Sequence, residues 1–194
     1  MLQEIPIEDA KVLYDPAFLS VVESKELFKH LLEEIQWEQD EIIMFGKKVL
    51  QPRKHAWYGD EGLSYTYSGL EMKAQAWTAP LKAIKEKIET AYSSTYNSVL
   101  LNLYRDGKDS MGWHSDDEKE LGKNPVIASL SLGQIRRFHL KHKQKKEIET
   151  LRLDLDNGSL LIMAGSTQHF WKHQISRTAK EVHPRINLTF RYIH

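Results

Sequence analysis

Residues 151–165 read LRLDLDNGSLLIMAG, and this stretch decides the fold class. Leu151, Leu153 and Leu155 alternate with Arg152, Asp154 and Asp156, the two-residue period of a strand with one buried face. Asn157-Gly158 follows as a turn pair, and SLLIMA opens a second β-rich run. Working outward, NSVLLNLY, VIASLSL and RRFHLKH upstream and RINLTFRYI downstream are runs of the same kind, with Asp106-Gly107 as another turn pair. From residue 97 onward the chain therefore reads as short antiparallel strands. Before it, residues 20–35 read as a helix. Ser20 and Glu23 fit a capping box, and Leu27, Phe28, Leu31, Leu32 and Ile35 recur at helical spacing. A second helix follows Pro80, with Leu81, Ile84, Ile88 and Tyr92 on one face. Residues 44–70, rich in aromatics, glycine and turn pairs, read as short strands and loops. Helices first and strands afterwards predict an α+β domain built on a β-sandwich or barrel.

The bulk numbers agree with a globular domain. The chain has 194 residues, 41% hydrophobic and 28% charged, with no repeat or low-complexity linker, so one domain over 1–194 is expected. Within it, 1–96 would carry the helices and recognition strands, and 97–194 the catalytic core. No apolar run approaches the ~20 residues that span a bilayer, and the mixed, acidic start is unlike a signal peptide. The sequence has no cysteine, which excludes disulfides and thiolate chemistry and agrees with the cytoplasm. Basic and acidic residues cancel at 27 each, so overall charge gives no sign of a nucleic-acid partner. Locally, residues 136–146 (RRFHLKHKQKK) hold six Lys or Arg and no acid, either a phosphate-contacting surface or a solvated strand pair.

The chemistry begins at WHSDDE. On an extended strand His114 and Asp116 would point to one face and could share an ion. A third histidine is available at His169 or His173. Two histidines and a carboxylate, leaving three positions open, make the ligand set of non-haem iron(II) oxygenases. Downstream, Arg185, Asn187, Thr189 and Arg191 fall on one strand face of RINLTFR. Two arginines buried together need an anion, and a dicarboxylate would satisfy them.

With these residues in view, the sequence resembles the AlkB family of Fe(II)/2-oxoglutarate-dependent dioxygenases, and especially its animal DNA-repair members. The segments that carry the resemblance are FGK, PRKHAWYGDEGLSYTYSGL, LNLYRDGKDSMGWHSDDE, NGSLLIMAGSTQHFWKH and PRINLTFR, in the family's order between about residues 45 and 193. The resemblance implies a double-stranded β-helix, or jelly roll, with N-terminal helices packed on one side. It implies His114, Asp116 and His173 as the catalytic metal ligands, selecting His173 over His169. It implies a 2-oxoglutarate site of Asn102, Tyr104, Arg185, Asn187 and Arg191, with Thr189 assisting. Arg185 and Tyr104 would hold the distal carboxylate; Asn187 and Arg191 would hold the end that chelates iron. The cofactors implied are Fe(II), 2-oxoglutarate and O2.

The implied reaction hydroxylates the N-methyl group of 1-methyladenine or 3-methylcytosine in DNA, and the product sheds formaldehyde while 2-oxoglutarate becomes succinate and CO2. A damaged base must be flipped out or already single-stranded to react. The resemblance gives Tyr67, with Tyr65 and Ser68 nearby, as the wall opposite His114, and Glu118 as the contact to the exocyclic amine. Phe45 would be an intercalating finger. Arg53, Lys54, Arg136, Arg137, Lys141, Lys143, Arg177 and Lys180 are candidate phosphate contacts. The loop before Arg185 carries less positive charge than a duplex-gripping loop would, so single-stranded and duplex DNA both stand as partners. Alternatives are an RNA demethylase, a protein hydroxylase, or a non-catalytic nucleic-acid binding module. A monomer without membrane contact is expected, in the cytoplasm, or in the nucleus of a eukaryote.

Overall fold

The computed structural model describes residues 1–44, 46–67 and 70–194, and the side chains among these except at 42–44, 47, 64–67 and 70–72. Two strands open the chain, β1 (Gln3–Ile5) and β2 (Lys11–Asp15), followed by helix α1 (Val21–Glu34). The hairpin β3 (Glu41–Met44) and β4 (Lys47–Leu50) precedes β5 (Lys54–Gly59). A second hairpin, β6 (Ser64–Tyr67) and β7 (Leu70–Lys73), leads to the short β8 (Gln75–Ala76) and helix α2 (Ala79–Ala91). The strand-rich part holds β9 (Ser98–Tyr104), β10 (Met111–His114), β11 (Ile127–Gly133), β12 (Arg136–His142) and β13 (Leu151–Leu155). It closes with β14 (Ser159–Ala164), the single-turn helix α3 (Thr167–Phe170), β15 (Trp171–Ile175) and β16 (Arg185–Arg191).

The strands form a large sheet in the order β1-β2-β14-β11-β16-β9-β5-β8 and a small one in the order β10-β15-β12-β13. From β9 onward the chain mostly passes between the two sheets, which is the jelly-roll path. Asp106-Gly107 joins β9 to β10 and Asn157-Gly158 joins β13 to β14, so both predicted turns cross from one sheet to the other instead of closing hairpins. Gly158 has φ of +81°, and a Cβ there would meet the Leu19 carbonyl at 2.9 Å, so glycine is needed twice over.

Alternation explains why there are two cores. On β9, β11 and β16, Val99, Leu101, Leu130, Leu132, Leu188 and Phe190 face one side and pack with Leu31, Leu81 and Ile88 of the helices. The opposite faces of the same strands turn between the sheets, where Leu100 and Tyr104 meet Phe138, Leu140, Trp171 and Ile175 of the small sheet. The large sheet is thus covered on both sides, and β9 is buried at every position. The expected jelly roll with helices on one side is the fold that forms.

The helices follow their sequence signals. The Ser20 side chain accepts from Glu23 N, and the Glu23 carboxylate accepts from Ser20 N, completing the capping box. Leu32, placed on the apolar face of α1 by its spacing, is instead 37% exposed, because α1 meets the sheet mainly near β11 and Leu32 points off that line. The N-terminal strands carried no clear signal in the sequence. β2 pairs with β14 along its length, and β1 with β2, so the first residues extend the large sheet.

Candidate functional site

Between the sheets lies a pocket lined by His114, Asp116, His173, Tyr104, Arg185 and Arg191, among others. His114 ends β10, and His173 pairs with it directly from β15. Their rings stand edge to face at 4.2 Å between centroids. Asp116 lies two residues past the end of β10, so it does not share a strand with His114 as the spacing predicted. Tertiary bonds bring it back. Its backbone N–H donates to Gln168 Oε1 at 2.9 Å, and its Oδ2 accepts from Arg191 Nη2 at 2.9 Å. The result is an Oδ1 oxygen 3.8 Å from His114 Nε2.

One donor atom from each of His114, Asp116 and His173 lies within 4.8 Å of the others, the one such trio among the described residues. The protonation states suit a metal. His114 Nδ1 lies 2.9 Å from the Gly112 carbonyl. A carbonyl only accepts, so Nδ1 is the donor and Nε2 is the ring nitrogen turned toward Asp116. His173 is pushed down to about 3, first by burial and then by His114, so it stays neutral. Burial would raise the Asp116 carboxyl, but Arg191, His173 and His114 outweigh it and hold it at about 2. A neutral imidazole at His173 and a carboxylate at Asp116 are the deprotonated forms that metal binding needs. His169 sits in α3, exposed and outside the trio.

The cosubstrate residues face the same space through strand register. Arg185 pairs with Tyr104, Asn187 with Asn102, and Thr189 with Leu100 across β16 and β9. Arg185 is 1% exposed, and burial lowers its guanidinium to about 10 while leaving it charged at neutral pH. Its Nη2 donates to Ser131 Oγ at 2.9 Å, but Nε and Nη1 are buried without a hydrogen-bond partner. A charged donor left this way inside a protein calls for an anion. The Tyr104 ring lies 5.2 Å from the same guanidinium. Asn187 donates to Ser129 Oγ and Leu130 O, and Thr189 donates to Asn187 Oδ1. The partners Ser129 and Ser131 go unmarked in the sequence, where VIASLSL reads only as a strand. Only the position of β11 beside β16 gives them a role.

Two expectations need correction. Arg53 is 5% exposed, and its Nε donates to Asn102 Oδ1 at 2.8 Å, so it braces the cosubstrate wall instead of reaching a surface phosphate. Arg136 is also buried, donating to the carbonyls of Asp106, Asp109 and Ser176 and lying 5.9 Å from the Tyr104 ring. The cause is alternation along β12, which sends Arg136, Phe138, Leu140 and His142 inward and only Arg137, His139 and Lys141 outward. Glu118 Oε2 is buried and unpartnered, whereas Asp117 is exposed and paired with Lys143. Phe45 and Ser68 lie outside the described residues, as do the side chains of Tyr65 and Tyr67.

Comparison with known proteins adds to this geometry. A sequence model of the 2OG-Fe(II) oxygenase superfamily matches residues 11–191. The human alpha-ketoglutarate-dependent dioxygenase alkB homolog 3 is 40% identical over 97% of this chain and 68% of its own. The human DNA oxidative demethylase ALKBH2 is 39% identical over 88% of this chain and 69% of its own. The solved structure of OsALKBH1 superposes with a TM-score of 0.68 at 14% identity, covering 99% of this chain and all of that one. At that identity the likeness concerns the fold alone.

Proposed function

The chain belongs to the 2OG-Fe(II) oxygenase superfamily, and from that premise we propose that it is an oxidative demethylase of N-alkylated bases in DNA. It is an Fe(II)- and 2-oxoglutarate-dependent dioxygenase; the DNA substrate is the proposed part. The observation that carries it is the identity, near 40% along most of the chain, to relatives that include DNA oxidative demethylases. We read 1-methyladenine and 3-methylcytosine as the lesions and a flipped or unpaired base as the form that reacts.

His114, Asp116 and His173 would hold the iron, and the orphaned donors of Arg185 would hold the distal carboxylate of 2-oxoglutarate beside Tyr104. When bound, the iron and cosubstrate supply the oxidation: O2 is consumed, 2-oxoglutarate becomes succinate and CO2, and one oxygen atom enters a methyl C–H bond. The hydroxymethyl group then leaves the ring nitrogen as formaldehyde, and that nitrogen recovers its normal bonding. The protein's part is positioning and dryness. Leu100, Phe138, Met163 and Ile175 give the pocket its apolar lining. Asn187 and Arg191 would steady the keto-acid end, with Arg191 shared between it and Asp116. Glu118, with a buried free carboxylate oxygen, would accept from the exocyclic amine, and Tyr65, Tyr67 and Ser68 would form the opposite wall. Phe45 would fill the gap left in a duplex.

The 194 residues would act as one catalytic domain and as a monomer, in the cytoplasm or nucleus. The first of these is supported by β1, β2, β5 and β8, which lie in the same sheet as β9, β11 and β16. Among the described residues no helix is long and apolar enough to cross a membrane. The test is direct. With Fe(II), ascorbate and 2-oxoglutarate, the protein should release formaldehyde and succinate from an oligonucleotide carrying 3-methylcytosine. Absence of turnover on methylated DNA, with turnover on RNA or a peptide, would move the reading to that substrate.

A further inference from the structure

The outer face of the small sheet has no part in the chemistry described above, yet its composition is unusual. The register between β10 and β15 shifts between Met111 and His114, so Trp113 turns outward while Met111 and His114 line the pocket. Trp113 is 38% exposed. Its ring is met edge-on by His139 at 6.3 Å, and Lys172 Nζ lies 5.8 Å from its centroid. His139 in turn sits opposite Gln174 on one side and Arg152 on the other, and Lys141 sits opposite Lys172. The acid on this face of β12, β13 and β15 is Asp154, and Arg137 engages both of its oxygens at 2.8 Å. Lys172 therefore stands beside the indole, Lys141 lies opposite Lys172 on β12, Arg152 lies beyond His139 on β13, and the carboxylate of this face is already engaged by Arg137. His139 Nδ1 is buried without a hydrogen-bond partner under the same ring system.

We propose that this face, centred on Trp113, is a platform on which single-stranded DNA flanking the target base stacks a base and lays its phosphates. The proposal rests on the demethylase reading and deepens it. A half-exposed indole with Lys172 beside it matches the two elements that sequence-tolerant single-strand sites combine, an aromatic surface for a base and positive charge for the backbone. Trp113 and the metal-site residue His114 are consecutive on β10, so the outward indole and the pocket belong to the same short strand. A duplex keeps its flanking bases stacked on one another and cannot use the indole. The platform therefore favours unpaired strands. Of the basic tract at residues 136–146, only the outward half contributes, since Arg136 and His142 are buried.

The experiment measures binding of a 12-nucleotide single strand containing one 3-methylcytosine, by anisotropy, and demethylation of the same strand, of its duplex, and of 3-methyldeoxycytidine 5′-monophosphate. Trp113→Ala should weaken binding of the single strand about tenfold, the scale of one lost base–aromatic stack. The mononucleotide and duplex should change by less than about twofold. Trp113→Phe should recover most of the loss, and Lys172→Glu should weaken the single strand and flatten its salt dependence. Equal affinity of Trp113→Ala and the wild type for the strand overturns the platform. So does an equal loss on strand, duplex and mononucleotide, which would make Trp113 a prop for His114. If the wild type demethylates none of the three, the demethylase reading itself fails, an outcome distinct from failure of the platform alone.

Discussion

The two faces of β16 are built from alternate residues of one seven-residue strand, and they do opposite work. Ile186, Leu188 and Phe190 are fully buried against the helix layer, where Phe190 stacks on Trp77 at 6.4 Å and meets Tyr96 at 6.0 Å. Arg185, Asn187 and Thr189 are buried nearly as deeply on the other face, with Arg191 partly buried beside them, but every one of them is polar. The first face stabilises by removing apolar area from water. The second gains little from burial, and Arg185 carries two unpartnered nitrogens there. Depth of burial alone therefore does not say what a residue is for. Whether its polar atoms are satisfied does.

That contrast can be broken at several points. The largest effect belongs to Asp116→Ala, which should lower demethylase turnover at least about a hundredfold and iron affinity with it, by loss of one ligand of three. Formaldehyde release and metal titration would check it, and undiminished turnover would refute the trio. On the apolar face, Phe190→Ala should cost about 3–5 kcal/mol of stability in urea unfolding while the folded fraction keeps its iron affinity. Arg185→Met should do the reverse. Binding of 2-oxoglutarate by calorimetry should fall about a hundredfold, with unfolding stability unchanged or higher, because a desolvated, half-satisfied cation is removed. A large loss of stability there would mean that Arg185 belongs to the core.

A fourth test concerns the junction between the sheets, where Asp109 accepts from Arg105 N, Nε and Nη2. Burial would raise its carboxyl, but Arg105 outweighs this and the group sits below its ordinary value of 3.8. A carboxylate lowered in the folded state stabilises above its unfolded pKa and loses that contribution as pH falls through the folded one. Asp109→Asn should therefore be less stable than wild type at pH 7, with the gap closing below about pH 4. A gap independent of pH would assign the loss to packing. The smallest effect is expected at Ser20→Ala, about 1 kcal/mol from the cap of α1, with turnover unchanged.

Much of this was legible in the residues. The capping box of α1, Pro80 at the start of α2, and strands β9, β11, β12, β13, β14 and β16 follow from local spacing. The alternation in RINLTFR by itself puts the polar set on one strand face. Other features were hidden because their cause is not local. β2 carries no clear strand signal of its own and takes its place through pairing with β14. The basic tract at 136–146 looks like one positive surface, yet the strand divides it between a buried face and a wet one. Gln168 lies in the single-turn α3, and nothing near it in sequence announces that it fixes Asp116. Nor does His-x-Asp spacing account for the pair, since β10 has already ended at His114.

What the sequence by itself determined is the kind of chemistry: two histidines, a carboxylate and a strand bearing two arginines, in an order that resembles one oxygenase family. Residue type sets ligand softness, charge and protonation, and type is written in the chain. What only the tertiary structure decided is which of those groups meet. The turn that returns Asp116 to His114 is held by Gln168 and Arg191, both distant in sequence. Arg185 is left unsatisfied because β11 offers it one serine hydroxyl and little else. Such convergence depends on strand register and sheet closure, which no spacing of residues along a chain can specify.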